Sequence, residues 1–592
     1  MNSYIAPTRD MRFVINELGL LPAIQKLRGC EDTNEELVDA VLEEAGKLAG
    51  GVLAPLNASG DAQGAMLENG VVRTAEGFSD AYRQFVEGGW NSVPFDQAYG
   101  GQGLPWLVSI ATGEMWVSAN NSWALCPMLT MGAIDALTHH GTDEQKNTYL
   151  EKLISGEWTG TMNLTEPHAG SDVGALRTRA VPEGDHYRIK GQKIFISWGE
   201  HDMASNIVHL VLARTPGAPP GSKGISLFIV PKFLINEDGS LGQRNDLRCV
   251  SLEHKLGIKA SPTCVMSYGD DEGAIGYLVG DENKGLACMF TMMNNARINI
   301  GLSGLGIAER AYQQAVTYAR ERTQGLGSDG NPMAIIRYPD VRRMLLTMKS
   351  QIDAMRALVY DTATLLDKSR RAKEATARKQ AQARVDLLTP IVKAWCTDLG
   401  VEITSMAIQV HGGIGYMEET GVVQHLRDAH IAPIYEGTNG IQAQDLVARK
   451  VLRDGGAAAH NYINEVRALC NTLSAVDTAA ALKPRLTAGC DALAETTDWL
   501  LAKADTNMAS VLAGATPYLR QFATVAGGAM MARTTLAAQA ALDEGTGDPD
   551  FYAAKLASAR FYAENILPQA MALITPVRDG HRAVLEYNEA AF

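Results

Sequence analysis

The chain has 592 residues, 46% of them hydrophobic and 20% charged, with a formal net charge of −14 at pH 7. Roughly three or four domains are expected at this length, and the composition is that of an ordinary globular protein. The acidic balance offers no electrostatic support for binding nucleic acid or an anionic membrane.

The first twenty residues carry Asp10 and Glu17 and lack the apolar core and small-residue cleavage site of a secretory signal. No run approaches the roughly eighteen charge-free apolar residues of a membrane span. Eight cysteines never fall in a CxxC pair, so neither a zinc site nor a disulfide framework is indicated. A cytoplasmic, reduced protein is expected.

From Thr33 to Leu53 apolar residues recur at helical spacing, after Thr33 as a cap and ahead of Pro55 as a breaker, and similar patterns continue to about Ser155. At about Gly156 the texture changes to short runs such as NIVHLVLAR (206–214) and GISLFIVPK (224–232), which predict a compact β domain ending near Gly285. Helices return at 289–324 and continue to about Arg449 with a Gly-rich interruption at 411–415, and from about Leu452 an Ala-rich helical tail follows. The predicted fold is multidomain α+β. It comprises an N-terminal extension (1–32), a helical domain (33–157), a central β-barrel-like domain (158–285), a four-helix bundle (286–450) and an additional helical domain (451–592) packed on it. The order α, β, α, α argues for segregated domains rather than alternating βαβ units.

Within HIAPIYEGTNGIQ (430–442), Glu436 sits in a Gly/Thr/Asn turn between an apolar approach and a helix. Flanking Ile434, Tyr435 and Gly437 would dehydrate the carboxylate and raise its pKa toward a range useful for proton abstraction. Equally, Thr438 or Asn439 caps the helix and Glu436 merely favours its positive end. MNLTEPHAGSDVG (162–174) offers Thr165, Gly170 and Ser171 to a polar heterocycle or phosphate, or is a pair of tight turns. KIFISWGEH (193–201) sets Phe195 and Trp198 beside the hydroxyl of Ser197 on a strand, an arrangement that suits a flavin ring or ordinary strand packing. In ERTQG (321–325), Arg322 can meet a pyrophosphate or a helix macrodipole. In QVHGGIGYMEE (409–419), three glycines allow close backbone approach to a ligand, but the pattern is not the GxGxxG of a Rossmann site.

Together with VPFDQAYGGQG (93–103), and in this order, these motifs resemble the acyl-CoA dehydrogenase flavoprotein family from about Thr33 to Arg449. The N-terminal extension and the helical tail resemble its longer bacterial branch of roughly 600 residues, which includes long-chain acyl-CoA and 3-methylmercaptopropionyl-CoA dehydrogenases.

The resemblance implies an enzyme that uses FAD to oxidise an acyl-CoA thioester to the trans-2-enoyl-CoA and passes the electrons to an electron-transfer flavoprotein. Glu436 would remove the α-proton while a hydride leaves the β-carbon for flavin N5. Its backbone N–H, with a flavin ribityl hydroxyl, would stabilise the thioester oxygen by several kcal/mol, on the order of one oxyanion-hole donor each. Some members carry the base on an earlier helix, at the position matched by Ala296, which cannot serve. Leu164 and Thr165 match contacts to the flavin ring edge, Ser197 the hydroxyl near N5, and Phe195 the ring lying against the isoalloxazine. Gly170 and Ser171 belong to the same cofactor segment. Arg322, Gln324, Gln409, Gly412 and Gly413 match positions that hold the pyrophosphate and adenosine across a subunit boundary, and Thr438 also faces the cofactor. Ser171, Asn294 and Arg297, with Glu436, match acyl-CoA contacts. Asn294 stands where many members have Asp, and Phe195 and Trp198 replace the commoner Trp and Asn. A site shared between chains implies an oligomer, and the tail favours a homodimer over a tetramer. The acyl group, fatty or 3-methylmercaptopropionyl, stays open, as do an oxygen-using acyl-CoA oxidase and a non-catalytic or DNA-associated relative of the same fold.

Overall fold

The structure, a computed structural model, describes residues 4–473 and 479–592. The first residues of the expected N-terminal extension and a short stretch of the expected tail domain therefore lie outside the described residues. The chain divides into two compact units. One holds Ala45–Leu104 and Met115–Asn299, and the other holds Ile5–Glu44, Pro105–Glu114 and Ile300–Phe592.

The first unit is built on one eight-stranded sheet: β1 (Trp158–Asn163), β2 (Arg179–Glu183), β3 (His186–Ser197), β4 (Asn206–Ala213), β5 (Ser226–Pro231), β6 (Leu247–Leu252), β7 (Thr263–Tyr268) and β8 (Ala274–Val279). Its strands run in the order β6-β7-β3-β8-β5-β4-β1, with β2 paired to β3. Among the described residues the β1–β4 ladder alone is parallel, besides an isolated parallel bridge from Arg179 to Arg214. The runs that announced the β domain, β4 and β5, are buried along their whole length, which is why they read as continuous apolar stretches rather than alternating ones. Val211, Phe228, Ile189 and Met266 lie in the core of this sheet.

The helical reading of the first quarter misses a hairpin, Met66–Glu68 with Val71–Arg73, that turns at Asn69-Gly70. Both turn residues have positive φ, the geometry for which Asn-Gly is the strongest short signal. Two punctuation marks are also corrected. Asn34, not Thr33, caps the helix Glu35–Leu48 by accepting from the Leu37 N–H at 2.9 Å, and Pro55 opens the helix Pro55–Gln63 instead of ending one.

In the second unit the long helices Pro339–Arg371 and Ala375–His411 pack together, joined by a link of three residues, 372–374. Helix Gly285–Glu321 crosses the latter at Gly304, where a Cβ would come within 2.2 Å of the Cys396 carbonyl oxygen, so only glycine permits this approach. About four turns further along both helices, Tyr318 stacks on His411 at 4.4 Å between ring centroids. The tail helices Ala515–Glu544 and Pro549–Phe561 pack on Pro339–Arg371 within the same unit.

Buried charge joins these pieces. The Arg356 guanidinium, fully enclosed, contacts Glu114 Oε1 at 2.6 Å and Glu309 Oε2 at 2.7 Å, and the Tyr360 hydroxyl donates to Glu114 at 2.7 Å. Beside them Lys349 and Lys555 bridge Asp10 and Asp353 at 2.5–3.0 Å. Burial works against the charge on Asp10, but Lys349 and Lys555 hold it well below the usual carboxylate range. All eight cysteines are buried thiols. Among the described residues no helix is long and apolar enough to cross a membrane.

Asp367, also buried, accepts from the N–H groups of Trp106 and Leu107 at 2.8 and 3.0 Å, capping the helix that begins there. Burial outweighs these donors and pushes its carboxyl up to about 6. An exposed Asp ionises near ~4, so the stability this residue contributes is complete below about pH 4 and is lost as pH rises toward 6. Asp367→Asn is expected to remove up to about 1.4 kcal/mol per pH unit from the pH slope of urea stability in that window. An unaltered slope would mean that the carboxyl is already ionised in the fold.

Candidate active site

In the first unit the expected cofactor residues gather where β3 ends. Lys193, wholly buried, donates to the Leu164 carbonyl at 2.9 Å and to Glu166 Oε1 at 2.9 Å. The Ile194 N–H donates to the Thr165 carbonyl at 2.9 Å, and the Thr161 hydroxyl donates to the Ser197 carbonyl at 2.7 Å. Leu164, Thr165 and Ser197 are thus fixed side by side while their side chains stay half exposed.

Phe195 has a left-handed backbone, φ +57°, and a ring that is 58% exposed. A large apolar face held outward at a conformational cost of about 1 kcal/mol or more suits a flat ligand better than core packing. Trp198, φ +55°, goes the other way. It is fully buried against His201, so it is a packing residue and not the second flavin-facing aromatic that its place in the motif suggests.

Glu166 is the carboxylate around which this segment folds. It accepts from the Arg177 and Thr178 N–H groups, the Thr178 hydroxyl and Lys193. Burial works against its charge, but Lys193 and these donors hold its pKa below the ordinary value. Lys193 has fewer partners, and burial pushes it down to about 8. Gly170 and Ser171 lie exposed beyond the turn closed by the reciprocal Glu166 and Ala169 backbone bonds. Asn294 and Arg297 stand one turn apart on helix Gly285–Glu321, with Arg297 Nη1 3.5 Å from Asn294 Oδ1. Ala296, between them, is buried.

In the second unit the remaining residues form two groups. Arg322 and Gln324 follow the end of helix Gly285–Glu321 and are exposed, on a hairpin (Thr323–Leu326 with Pro332–Ala334) not foreseen from the sequence. Gln409, Gly412 and Gly413 are exposed where helix Ala375–His411 stops. Gly412 has φ +65°, and the space where a Cβ would project is open for 4 Å around. The Tyr318 to His411 stack brings these two helix ends together.

The other group is the Glu436 turn. Glu436 and Gly437 both have positive φ, +55° and +83°. Thr438 Oγ1 accepts from the Ile441 N–H at 3.2 Å and caps the helix Asn439–Asp445, so the capping half of the sequence reading holds. The dehydration half needs correction, because Ile434 is 59% exposed and Glu436 only half-buried: the flanking residues alone do not enclose the carboxylate. The Tyr435 hydroxyl is buried, with no hydrogen-bond partner among the described residues, and burial together with the Glu436 charge raises its pKa well above the ordinary value. Gln442 Nε2 donates to the Glu436 and Gly437 carbonyls, both at 3.2 Å. The turn lies against Lys393–Asp398, so along helix Ala375–His411 it stands between about 21 and 28 Å from Gly412 at 1.5 Å per residue.

Sequence reasoning missed Glu166, Lys193, Lys393 and Gln442 as the residues that hold these segments. The signal was present for Lys393, a lone charge inside the apolar run PIVKAW.

Four family models match the chain: acyl-CoA dehydrogenase N-terminal domain over 40–157, middle domain over 161–270, C-terminal domain over 283–452, and acetyl-CoA dehydrogenase C-terminal like over 462–588. A 3-methylmercaptopropionyl-CoA dehydrogenase of Ruegeria pomeroyi is 48% identical over 98% of both chains. A broad-specificity linear acyl-CoA dehydrogenase of Mycobacterium tuberculosis is 34% identical over the full length of both. The fold is also that of a Bacillus anthracis acyl-CoA dehydrogenase solved with FAD, at TM-score 0.75 and 20% identity over 97% of this chain and 93% of that one. The chain belongs to the acyl-CoA dehydrogenase family, flavoprotein oxidoreductases that bind FAD.

Lys193→Met would leave Glu166 as a buried carboxylate without its cation. Losing one partner of such a pair costs about 3–5 kcal/mol, so the variant is expected to show a markedly lower urea midpoint. A midpoint equal to that of the parent would mean that the pair contributes nothing.

Proposed function

We propose that this protein catalyses α,β-dehydrogenation of an acyl-CoA thioester with Glu436 as the base. The observation that carries this reading is a glutamate held in a strained left-handed turn, at the motif position of the family base, with alanine at the alternative position. The carboxylate of Glu436 takes the α-proton. Its backbone N–H donates to the thioester oxygen, where negative charge grows as that proton leaves, and the polarised carbonyl makes the α-carbon acidic enough for a carboxylate to suffice.

FAD, when bound, supplies the two-electron acceptor for the hydride that leaves the β-carbon. The residues of this chain fit such a group. Phe195 presents its ring, Leu164, Thr165 and Ser197 offer amide and hydroxyl contacts, and Gly170, Ser171 and Thr438 complete the cofactor positions. Arg322, Gln324, Gln409, Gly412 and Gly413 suit the pyrophosphate and adenosine. Their distance along the helix from Glu436 supports the reading that they serve the cofactor of a second copy, hence a homodimer. Ser171, Asn294 and Arg297 are assigned to the acyl-CoA. Electrons pass on to an electron-transfer flavoprotein.

Identity of 48% over nearly the whole chain favours 3-methylmercaptopropionyl-CoA as substrate, with the thioether sulfur beside the β-carbon that loses the hydride. In a screen of acyl-CoAs of graded length, flavin bleaching should be fastest with this thioester. Faster bleaching by long straight chains would overturn the assignment, and rapid peroxide release without an added acceptor would point to an oxidase.

Glu436→Gln is expected to keep FAD bound and to abolish bleaching by acyl-CoA. Bleaching at the parent rate would refute the base assignment.

A further inference from the structure

Lys393 is fully buried on helix Ala375–His411, between the buried side chains of Val392 and Ala394. Enclosing an ammonium costs several kcal/mol unless its protons are bound, and a helix that needed only packing here would do better with Leu or Met. The ammonium instead donates to two acceptors of a single loop: the Gly437 carbonyl at 2.8 Å, one residue past Glu436, and Asn439 Oδ1 at 2.8 Å. Asn439 is itself locked. Its Nδ2 donates to Asp398 Oδ1 at 2.7 Å, to Thr397 Oγ1 at 3.0 Å and to the Ala394 carbonyl at 3.1 Å. Asp398, half-enclosed, has its pKa raised by burial, against the pull of the Asn439 donor.

This support ends at the two consecutive left-handed residues, Glu436 and Gly437. A glutamate in that region pays roughly 1–2 kcal/mol relative to ordinary backbone. Without an anchor the turn would relax to a right-handed or extended form, re-aiming both the carboxylate and the N–H. Gln442 Nε2 shares the Gly437 carbonyl and also donates to the Glu436 carbonyl, both at a longer 3.2 Å.

We propose that Lys393 is the positioning residue of the catalytic turn: its bonds to the Gly437 carbonyl and to Asn439 hold Glu436 in the left-handed conformation from which it removes the α-proton. The proposal rests on Glu436 being the base.

The test uses the FAD-loaded full chain with Lys393→Met, which keeps most of the unbranched stem and removes the charge and the donors. Misplacing a reacting group by about 1 Å costs on the order of 100-fold. The variant should therefore bind FAD and lose about 100-fold in kcat with KM for acyl-CoA little changed. The isotope effects from α- and β-deuterated substrate should both rise, because the step in which the α-proton and the β-hydride leave has become the slow one. A parent-like kcat overturns the proposal. So does a loss in which FAD binding, KM and kcat decline together with both isotope effects unchanged, since that is the pattern of a structural role alone. If Lys393→Met fails to fold, Asn439→Ala, which retains the Gly437 bond, should give the same rise in isotope effects with a smaller loss of kcat, and a loss with unchanged isotope effects overturns the proposal equally. Glu436→Gln separates the two readings. If it still bleaches, the base assignment has failed; if it is inert while Lys393→Met is parent-like, only the role of Lys393 has failed.

Discussion

Two linked ion clusters, one buried and one partly buried, hold the larger unit together. Arg356 lies between Glu114 and Glu309, and Lys349 and Lys555 lie between Asp10 and Asp353. Their members come from the N-terminal extension, from the start of helix Trp106–His140, and from three helices of the bundle and tail. Charges enclosed this way are weak contributors to net stability but strict about partners, since removing one leaves another unpaired in low dielectric. Their return is specificity of packing: helices whose apolar faces would slide past one another are pinned at particular residues. The close passage at Gly304 then sets one helix against the next, and the ends of both helices follow from it.

Chemistry is distributed over this framework in the same style. In each unit a buried lysine ties a short irregular segment to a long regular element; the left-handed residues lie in the tied turn in one case and at the end of the lysine's own strand in the other. Lys193, on the strand that runs out to Phe195, ties down the segment of Leu164 and Glu166; Lys393, on a helix, ties down the turn of Glu436. A lysine is well suited to the task, because its three donors can take a backbone carbonyl and a side-chain oxygen at once while its stem packs like an aliphatic residue. Around these ties the left-handed residues are few, with Phe195 exposed, Glu436 half-buried and Trp198 packed inside.

Much of this is legible in the sequence. The change from helical to strand texture near Gly156, the return of helices near Gly285 and the motif order leading to Glu436 all depend on local composition, which a single chain displays. The burial of Trp198 is not legible, because a strand ending in left-handed residues no longer alternates its faces, and no propensity announces that. The Asn69-Gly70 hairpin carries a signal of two residues, which a strong helical background on either side obscures. Lys193 and Lys393 escape because their meaning lies in partners distant along the chain: a lysine in an apolar run states that it must find acceptors, not where they are.

The pairing of Asp10 with Lys555 also bears on how the chain is made. More than five hundred residues separate them, so at roughly 5–20 residues per second the ribosome needs about half a minute to two minutes between emitting the first and the second. Throughout that interval the leading segment lacks part of its native setting: Phe13 packs on Phe551 and Tyr552, although Lys349 reaches Asp10 earlier. Truncations that spare every catalytic residue but remove the last helices would strip Phe13 and Asp10 of their partners Phe551, Tyr552 and Lys555.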